Sequence, residues 1–374
     1  MTRVDKMIYF DNAATTNIKP RSVEIAVNNA LKKFSANPGR SGHKLSMKTS
    51  EMVFDVREKV ADFFGAESYE NIVFTQNCTM SINLVIKGLF KSGDHVIISD
   101  LEHNSVARTA FDLTKSGVEL SIFETSEDDE ITIQNIESNL KSNTKAIICT
   151  HGSNVFGIIN PIRKIGRFCK NNGLLFIVDA AQTAGILDIN VKNDYIDYLC
   201  IAPHKGLYAP MGTGILITDN KPNVFILGGT GSLSASFEQP DFLPDKYESG
   251  TINVPGIAGI GAGIEFVRKN KNKIVCKEKM IIDYIYNEFK KNKKVQLYNK
   301  PNLPVLSFNI KGESSTDVSQ YLADKNVCVR GGLHCAPLAH KKFKTIEQGT
   351  VRVSPSIFNN LNEASFLVYL INNY

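Results

Sequence analysis

Short apolar runs alternate with amphipathic segments through the first two thirds of the chain. This alternation predicts a mostly parallel sheet with helices on both faces, an α/β fold, because buried parallel strands are apolar throughout and are joined by helices. The predicted strands are 72–74, 96–98, 120–123, 146–150, 174–178, 198–201 and an antiparallel strand at 214–217. The predicted helices are 20–34, 47–64, 80–90, one ending near 115, 133–140 and 162–171.

The composition changes after Pro255, where the chain becomes rich in Ile, Lys and Asn. The pattern there predicts helices at 256–270 and 278–291 and strands at 305–310 and 327–330, which together indicate a smaller α+β domain. A chain of 374 residues is also long enough for two domains. We expect a large domain at 15–254 and a small domain formed by 1–14 and 255–374. The polar loop 228–245 is long enough to suggest a functional role.

Composition excludes several classes of function. The formal net charge is +5, and no basic face with interleaved aromatic residues is present, so no nucleic-acid partner is expected. The seven cysteines show no CxxC motif and no regular spacing, which predicts no metal site and a reducing, cytoplasmic setting. Residues 1–10 lack the apolar core of a signal peptide, and no segment has the apolar length of a membrane span.

Asp179 and Lys205 each follow a predicted strand. Ligands bind at the carboxyl ends of parallel strands, so polar residues at these ends are expected to converge on one edge of the sheet. A buried carboxylate needs a cationic or hydrogen-bonding partner, and a simple salt bridge between the two residues is one interpretation. The other is a pyridoxal phosphate (PLP) site, in which the acid holds the ring nitrogen and the lysine carries the aldehyde.

Other strand ends carry further candidates, each with a simpler alternative. Thr79 opens a helix, where backbone N–H groups bind phosphate, but a Thr there also commonly caps the helix. His103 either stacks on a flat cofactor or only caps Asp100, and Asn154 either binds a ligand or only stabilises a turn. Arg352 has the planar fork that clamps carboxylates, or forms a surface ion pair.

The segment Arg-Gly-Gly-Leu-His-Cys-Ala-Pro (330–337) places one thiol, Cys335, beside His334 and two residues before a helix-starting Pro337. A helix N-terminus and an imidazolium would both favour the thiolate. Taken alone, a half-buried cysteine at the start of a helix is the simpler interpretation.

Taken together, these residues resemble the cysteine desulfurases and selenocysteine lyases of the class V aminotransferase superfamily. The likeness covers nearly the whole chain. Its motifs are Asp-Asn-Ala-Ala-Thr-Thr (11–16), Asn-Pro-Gly-Arg-Ser-Gly-His (37–43), Glu-His-Asn-Ser-Val (102–106), Ser-Asn-Val (153–155), Val-Asp-Ala-Ala-Gln (178–182), His-Lys-Gly (204–206), Glu-Ser-Gly-Thr (248–251) and Arg-Gly-Gly-Leu-His-Cys-Ala (330–336). The resemblance implies a fold type I PLP-dependent transferase.

The resemblance also implies roles for individual residues. Lys205 is implied to carry the PLP, Asp179 to hold its ring nitrogen and His103 to stack on the ring. Further cofactor contacts are implied for Asn154, Gln182, Thr79, Cys78 and His204. Thr251 is implied to bind the phosphate in a neighbouring subunit, and hence a homodimer is expected.

The substrate side follows in the same way. Arg352 is implied to hold the substrate carboxylate, and Asn154 to lie beside the substrate. Cys335 is implied to accept the sulfur, with Arg330 and His334 nearby. The implied activity converts L-cysteine to L-alanine and leaves a persulfide on Cys335. The short loop before Cys335 resembles that of enzymes that pass sulfur to a dedicated acceptor protein.

Two single positions and one tripeptide depart from the family pattern. Many relatives have Ser at Ala202 and Gly at Pro203, and Gln-Asn-Cys (76–78) stands where the sulfur-mobilising enzymes commonly have Arg-Gly-Thr. These changes predict weaker or repositioned phosphate binding with cofactor binding retained. The alternative functions are a selenocysteine lyase, an aminotransferase, and a non-catalytic scaffold that has lost the cofactor.

Overall fold

The computed structural model describes residues 7–39 and 41–374. The first six residues of the predicted 1–14 segment, most of the segment examined for a signal peptide, and Arg40 of the 37–43 motif lie outside this range. The strands are β1 (Ile8–Tyr9), β2 (Ile72–Thr75), β3 (His95–Ser99), β4 (Glu119–Phe123), β5 (Thr144–Thr150), β6 (Leu175–Asp179), β7 (Tyr198–Ile201), β8 (Gly214–Ile217), β9 (Val295–Leu297), β10 (Leu306–Ile310), β11 (Val327–Cys328), β12 (Arg330–Gly332) and β13 (Thr350–Val353).

Helices connect most of these strands. They are α1 (Arg21–Lys33), α2 (Lys44–Phe64), α3 (Cys78–Leu89), α4 (Asn104–Thr114), α5 (Asp129–Glu137), α6 (Ile162–Asn171), α7 (Val254–Lys291), α8 (Ser315–Asp324), α9 (Pro337–Lys342) and α10 (Leu361–Asn372). None of the helices in the described ranges is both long and apolar enough to cross a membrane.

The central sheet has seven strands in the order β2-β8-β7-β6-β5-β3-β4. Strand β8 runs antiparallel to both of its neighbours, and the remaining pairs are parallel. The predicted mostly parallel sheet with an antiparallel strand at 214–217 is therefore confirmed. Non-consecutive neighbours such as β5 and β3 follow from the helical crossovers that parallel pairs need.

Apolar layers cover both faces of this sheet. One layer packs α2, α6 and α7 against residues such as Ile147 and Val178, and the other packs α3 and α4 against residues such as Ile98 and Ile148. Gly263 of α7 lies so close to the Leu207 carbonyl that any Cβ there would overlap it. This close approach brings α7 directly beneath the loop that carries Lys205.

The C-terminal part contains a second core. Its antiparallel sheet has the order β12-β13-β10-β9, and α7, α8 and α10 supply apolar side chains to the same cluster. Strand β1 pairs in parallel with β11, so the N-terminal strand joins this part of the molecule. The expected domain boundary at 254/255 stays a prediction.

Three predicted elements in this region, two helices and one strand, have the wrong bounds. The separate helices 256–270 and 278–291 form one continuous helix, α7, because Ile274 is fully buried and continues the apolar face through the polar residues between them. The predicted strand 327–330 is two short strands, β11 and β12, which belong to different sheets. Strand β13, which carries Arg352, and helix α10 lie in segments for which no element was predicted.

Candidate active site

A cavity of about 230 Å³ lies at the carboxyl edge of the central sheet. The polar residues predicted to converge there do so, since side chains from the ends of β3, β5, β6 and β7 line one space. Its lining includes Cys78, Thr79, His103, Asn154, Asp179, Gln182, Ala202, His204, Lys205, Arg330, His334 and Arg352. Sequence reasoning missed several other lining residues, among them Ala13, Asn77, Ser105, Thr150 and Gly152.

Lys205 and Asp179 both line the cavity, and the charge of each shifts the pKa of the other. Their side chains do not come close enough to form an ion pair, so the salt-bridge alternative is wrong. Asp179 is 3% exposed, and its Oδ1 accepts a hydrogen bond from the Ala181 N–H at 2.9 Å. Burial raises the pKa of the Asp179 carboxyl group and lowers the pKa of the Lys205 ammonium group. The lysine is therefore easier to deprotonate than a surface lysine.

Helix α3 begins at the edge of this cavity. Asn77 caps it, since its Oδ1 accepts a hydrogen bond from Met80 N at 2.9 Å. The interpretation of Thr79 as the capping residue is therefore wrong, and the exposed Thr79 side chain remains available to a ligand. The buried thiol of Cys78 lies 3.8 Å from Asp179 Oδ1, and burial raises its pKa well above the ordinary value.

His103 is the N-cap of α4, and its Nδ1 accepts from the backbone N–H of Ser105 at 3.1 Å. The alternative in which it caps Asp100 is wrong, because Asp100 Oδ2 instead pairs with Lys342 at 2.6 Å. Burial, followed by the positive charge of Lys205, lowers the pKa of His103 to about 4. The ring is therefore neutral near pH 7, and its orientation is fixed by the cap.

The turn formed by residues 11–16 closes one side of the cavity. Gln182 Nε2 donates to the Ala13 carbonyl at 3.0 Å, and His204 Nδ1 lies 3.0 Å from the Thr15 hydroxyl. Burial lowers the pKa of His204 to about 4, with a further contribution from Lys205. Both side chains are thus positioned by the N-terminal segment, which lies far from them in sequence.

Arg352 is 1% exposed, so the interpretation as a surface ion pair is wrong. Its Nη2 donates to Asp11 Oδ1 at 2.6 Å, and its Nη1 donates to the Asn154 carbonyl at 2.9 Å. Its Nε is buried and has no hydrogen-bond partner in the described part of the chain. Burial lowers the pKa of the guanidinium group despite the opposing charge of Asp11. The residue is therefore oriented and retains an unused donor beside the cavity.

Asn154 connects this arginine to the cysteine segment. Its side-chain Nδ2 donates to the His334 carbonyl at 2.7 Å, while its own carbonyl accepts from Arg352. The alternative in which Asn154 only stabilises its local turn is therefore wrong. Arg330 and Arg352 also lie opposite each other in the antiparallel register of β12 and β13. These contacts bring Cys335 close to Arg352 although 17 positions separate them in the chain.

Cys335 lines a second, neighbouring cavity of about 580 Å³, and Arg330 and His334 border both spaces. Its Sγ lies 3.9 Å from Arg330 Nη2, and its carbonyl accepts from Asn104 N at 2.7 Å. His334 and Cys335 have φ values of 50° and 57°, which non-glycine residues rarely adopt. Pro337 is in the first turn of α9, as predicted.

The expected imidazolium beside the thiol is not formed. Burial lowers the pKa of His334 well below its ordinary value, and the charge of Arg352 acts in the same direction. The Nε2 atom of His334 lies 3.0 Å from the Arg330 carbonyl rather than near the thiol. The only cation with a contact to the Cys335 sulfur among the described residues is therefore Arg330.

Sequence reasoning also missed Glu102, which lies next to His103. It is fully buried, and its Oε1 accepts from Thr150 N at 2.7 Å and from the Ser99 hydroxyl. Its Oε2 has no hydrogen-bond partner among residues 7–39 and 41–374. Burial raises the pKa of this carboxyl group to about 8. Glu102 thus joins the ends of β3 and β5 beneath the cavity, and its position in the 102–106 motif was the available clue.

Thr251 does not line the Lys205 cavity. It lies in a different space of about 100 Å³ together with Thr75, Gln76 and Tyr247. The role implied for Thr251, contact with a phosphate held by a neighbouring subunit, stays a prediction. No group of three or more His, Cys, Asp or Glu side chains in the described ranges is arranged to hold a metal ion.

The donor set fits PLP. No hydrogen bond from residues 7–39 or 41–374 occupies Asp179 Oδ2, so this oxygen can accept from a protonated ring nitrogen, which would also offset the burial of the carboxylate. Lys205 offers an amine that forms no ion pair with any described residue, and the N-terminus of α3 offers N–H groups and the Thr79 hydroxyl to a phosphate.

Comparisons with known proteins agree with this geometry. The Aminotransferase class-V family model matches residues 8–367. A "Probable cysteine desulfurase" of Methanothermobacter thermautotrophicus is 33% identical over 96% of this chain and 92% of its own length. Another, of Pyrococcus abyssi, is 32% identical over 96% of this chain and 92% of its own length.

Solved structures extend the agreement to the fold. The apo structure of a cysteine desulfurase from Thermococcus onnurineus superposes with a TM-score of 0.89 at 32% identity, covering 98% of this chain and 94% of that one. A NifS-like protein at 23% identity shares the fold with a TM-score of 0.84, covering 98% of this chain and 99% of that one. The expected fold type I architecture is thereby confirmed. The chain therefore belongs to the class V aminotransferase family, in the group that contains the cysteine desulfurases.

Proposed function

We propose that this chain is a PLP-dependent cysteine desulfurase, which converts L-cysteine to L-alanine and leaves a persulfide on Cys335. One observation carries the proposal. The cavity that holds Lys205 and Asp179 shares Arg330 and His334 with a second cavity, which is lined by the exposed Cys335. The Lys205 cavity, where the substrate Cα would react, thus adjoins the Cys335 thiol, which would attack the substrate sulfur.

PLP would be held by Asp179 at its ring nitrogen, by His103 at its ring face and by the N-terminus of α3 at its phosphate. Gln182, Asn154 and His204 complete the set of side chains assigned to its surroundings. When bound and linked to Lys205, PLP supplies an electron sink for charge that develops at the substrate Cα. Ala202 and Cys78 stand where many relatives have hydroxyl groups, so a bound phosphate would rely more on backbone N–H groups here.

Lys205 is the proposed acid–base residue. Its depressed pKa increases the fraction of neutral amine, which can accept the proton from the substrate Cα. His103 stays neutral near pH 7 and therefore adds no positive charge against the ring. Asp179, Asn154 and Ala13 of the 11–16 turn line the same cavity as the Lys205 amine.

Arg352 is the proposed site of the substrate carboxylate. Asp11 and Asn154 already fix two of its nitrogens, so the guanidinium needs little reorganisation when a substrate binds. The unpartnered Nε supplies a donor that a carboxylate would satisfy. A substrate held there lies on the side of the cavity next to Arg330 and the cysteine segment.

Cys335 is the proposed nucleophile. Its thiolate attacks the substrate sulfur, an S–S bond forms, and the substrate Cβ–S bond breaks with its electron pair left on carbon. Protonation of that carbon gives alanine, and the transferred sulfur stays on Cys335 as a persulfide. Because the thiol lines the neighbouring cavity, the attack requires the 331–335 segment to turn its side chain past Arg330.

Alanine release from L-cysteine, with dithiothreitol to remove the sulfur, tests this function. The wild-type protein should release alanine and carry the visible absorption of bound PLP. Full-rate release by Cys335→Ala would overturn the persulfide mechanism, and a colourless wild-type protein would support the non-catalytic alternative. Parallel rates with L-selenocysteine distinguish a selenocysteine lyase, and turnover that depends on an added keto acid would indicate an aminotransferase.

The quaternary proposal is a homodimer in which Thr251 contributes to the partner subunit's phosphate site. The cavity around Thr251 is bordered by Gly212 and Ile226, whose sequence neighbours Met211 and Leu227 are 67% and 69% exposed. Apolar exposure of this kind commonly marks a protein–protein contact. Sedimentation equilibrium at micromolar concentration should give the mass of two chains.

The cytoplasmic location stays a prediction that rests on seven cysteines without a pairing pattern.

A further inference from the structure

The cavity around Cys335 is an open groove between α4 and α9. Its volume of about 580 Å³ exceeds that of the Lys205 cavity, which is about 230 Å³. Its walls come from the outer face of α4, the 330–335 segment and the first turns of α9. The function proposed above uses the Cys335 thiol but leaves most of this groove without a role.

Two large apolar side chains are exposed in the groove. Phe111 of α4 is 48% exposed and Leu333 is 40% exposed, while Leu338 beside them is buried. Large apolar side chains that share a concave surface commonly act as anchors for a partner. An occupant of this groove is therefore expected to bring an apolar side chain of its own.

The charge of the groove is one-sided. Arg108, Arg330 and Lys341 line it, and no Asp or Glu does. None of these three cations forms an ion pair with another residue of the described part of the chain. By contrast, their neighbours Asp112 and Lys342 are paired with Lys115 and Asp100. Unpaired cations around an apolar centre complement an acidic partner.

We propose that this groove docks an acidic segment of a sulfur-acceptor protein, which places an apolar side chain against Phe111 and Leu333 and a cysteine thiol at Cys335. The acidic side chains of that segment pair with Arg108 and Lys341. The inference rests on the proposed function, because the thiol requirement follows from a persulfide on Cys335. The acidic and apolar requirements follow from the groove itself.

The transfer step balances without a further reagent. The acceptor thiolate attacks the outer sulfur of the Cys335 persulfide and forms a new S–S bond. The original S–S bond breaks, and its electron pair leaves on Cys335 Sγ as a thiolate. Arg330 Nη2, at 3.9 Å from this sulfur, is placed to stabilise the departing charge. The acceptor leaves as a persulfide, and Cys335 is ready for another substrate.

Sulfur transfer to synthetic peptides tests the groove. One blocked peptide has a cysteine flanked by leucine and by several aspartates and glutamates, and a second has lysines in place of those acids. With the PLP-loaded enzyme and L-cysteine, the acidic peptide should become a persulfide about tenfold faster at low salt. The Arg108→Glu/Lys341→Glu variant should lose or reverse that preference and keep alanine release with dithiothreitol.

The matched control is Lys290→Glu/Lys293→Glu, which makes the same charge change at exposed positions on and just beyond the end of α7. This control should behave as wild type. Equal transfer to the two peptides, or an unchanged preference in the groove variant, would overturn the docking proposal. Absence of alanine release even with dithiothreitol would instead contradict the proposed function.

A second measurement is independent of turnover. The same peptides with serine in place of cysteine are mixed with the enzyme, and the rate at which iodoacetamide alkylates Cys335 is followed by mass spectrometry. The acidic peptide should slow alkylation of Cys335 and leave alkylation of the exposed Cys276 on α7 unchanged. No protection would contradict the proposal, and protection that depends only on enzyme concentration would assign the groove to a second copy of this chain.

Discussion

The Lys205 cavity and the Cys335 groove are adjacent but differ in almost every physical property. In the cavity, Asp179, Arg352 and Asn154 are buried, and the groups beside them are mostly held by hydrogen bonds. In the groove, Phe111, Arg108 and Cys335 are exposed, and no Asp or Glu of the described residues lines the space beside the cations. Enclosure and fixed dipoles suit proton transfer at carbon, whereas an open cationic surface suits delivery of an atom to another molecule.

This difference shows how one chain can separate the removal of sulfur from the amino acid, in the cavity, from the delivery of that sulfur, in the groove. Arg330 and His334 form the boundary, since they line both spaces. The buried side is expected to determine which amino acid reacts, and the exposed side which molecule receives the sulfur. Substitutions on the two sides should therefore change different measurements, and the following predictions run from the largest expected effect to the smallest.

Replacement of Lys205 by alanine should have the largest effect. It removes the amine that holds PLP and moves the α-proton, so alanine release should fall by about 10²–10⁴-fold or more. The visible absorption of bound PLP should also change or disappear. A spectrum and a rate that match wild type would refute the central role of this lysine.

Replacement of Cys335 by serine should stop the sulfur step while sparing the cofactor site. We expect alanine release to fall by more than about a hundredfold, because the nucleophile is lost. The PLP spectrum should remain that of wild type, since the thiol does not line the Lys205 cavity. Cys276→Ser provides the control, and an equal loss in both variants would contradict the distinction between the two regions.

Replacement of Asp11 by asparagine tests how strongly the buried side is organised. Arg352 would then remain buried without its counter-charge, so the unfolding free energy should fall by about 3 kcal/mol and the KM for L-cysteine should rise about tenfold. The control is Asp112→Asn, whose partners Lys87 and Lys115 are exposed, so neither the unfolding free energy nor the KM should change measurably. Similar effects of the two substitutions would argue against an oriented Arg352.

Glu102 gives a smaller, pH-dependent effect. Burial raises the pKa of its carboxyl group from 4.5 to about 8, so the unfolded chain loses this proton more readily than the folded one. The associated stability is complete below about pH 4.5 and is lost as the pH rises towards 8. Relative to Glu102→Gln, wild type should lose on the order of 2 kcal/mol between pH 5 and 8.5 in urea unfolding.

The exposed Glu51 provides the comparison for this experiment. Glu51→Gln should leave the pH dependence of unfolding as it is in wild type. If Glu102→Gln also retained the wild-type pH dependence, the carboxyl group would have to titrate alike in the folded and unfolded chains.

The local sequence pattern was sufficient to predict the bounds of a strand where every residue of that strand is buried. Strands β7 and β8 lie at the residues predicted for them, because each is one uninterrupted buried apolar run. The expectation that an element ends where its apolar residues end was wrong for α7, in which the polar residues Lys271 to Lys273 continue the helix. A helix needs apolar residues on only one face, and Ile274 supplies that face.

Long-range contacts set the limit of prediction within the site. The partner of Arg352, Asp11, lies 341 positions away, and no local pattern connects the two. The placement of Cys335 in its own groove depends on positive φ values at His334 and Cys335, which their residue types do not predict. By contrast, the convergence of His103, Asn154, Asp179 and Lys205 followed directly from the parallel sheet.

The central claim is that Cys335 carries sulfur from the enclosed cavity to the open groove. Mass spectrometry of the enzyme after a single turnover with L-cysteine, without reductant, tests it most directly. The account predicts the mass of one added sulfur atom on the peptide that contains Cys335, none on the peptide that contains Cys276, and one alanine released per loaded site. Release of alanine with no sulfur bound at Cys335 would contradict it.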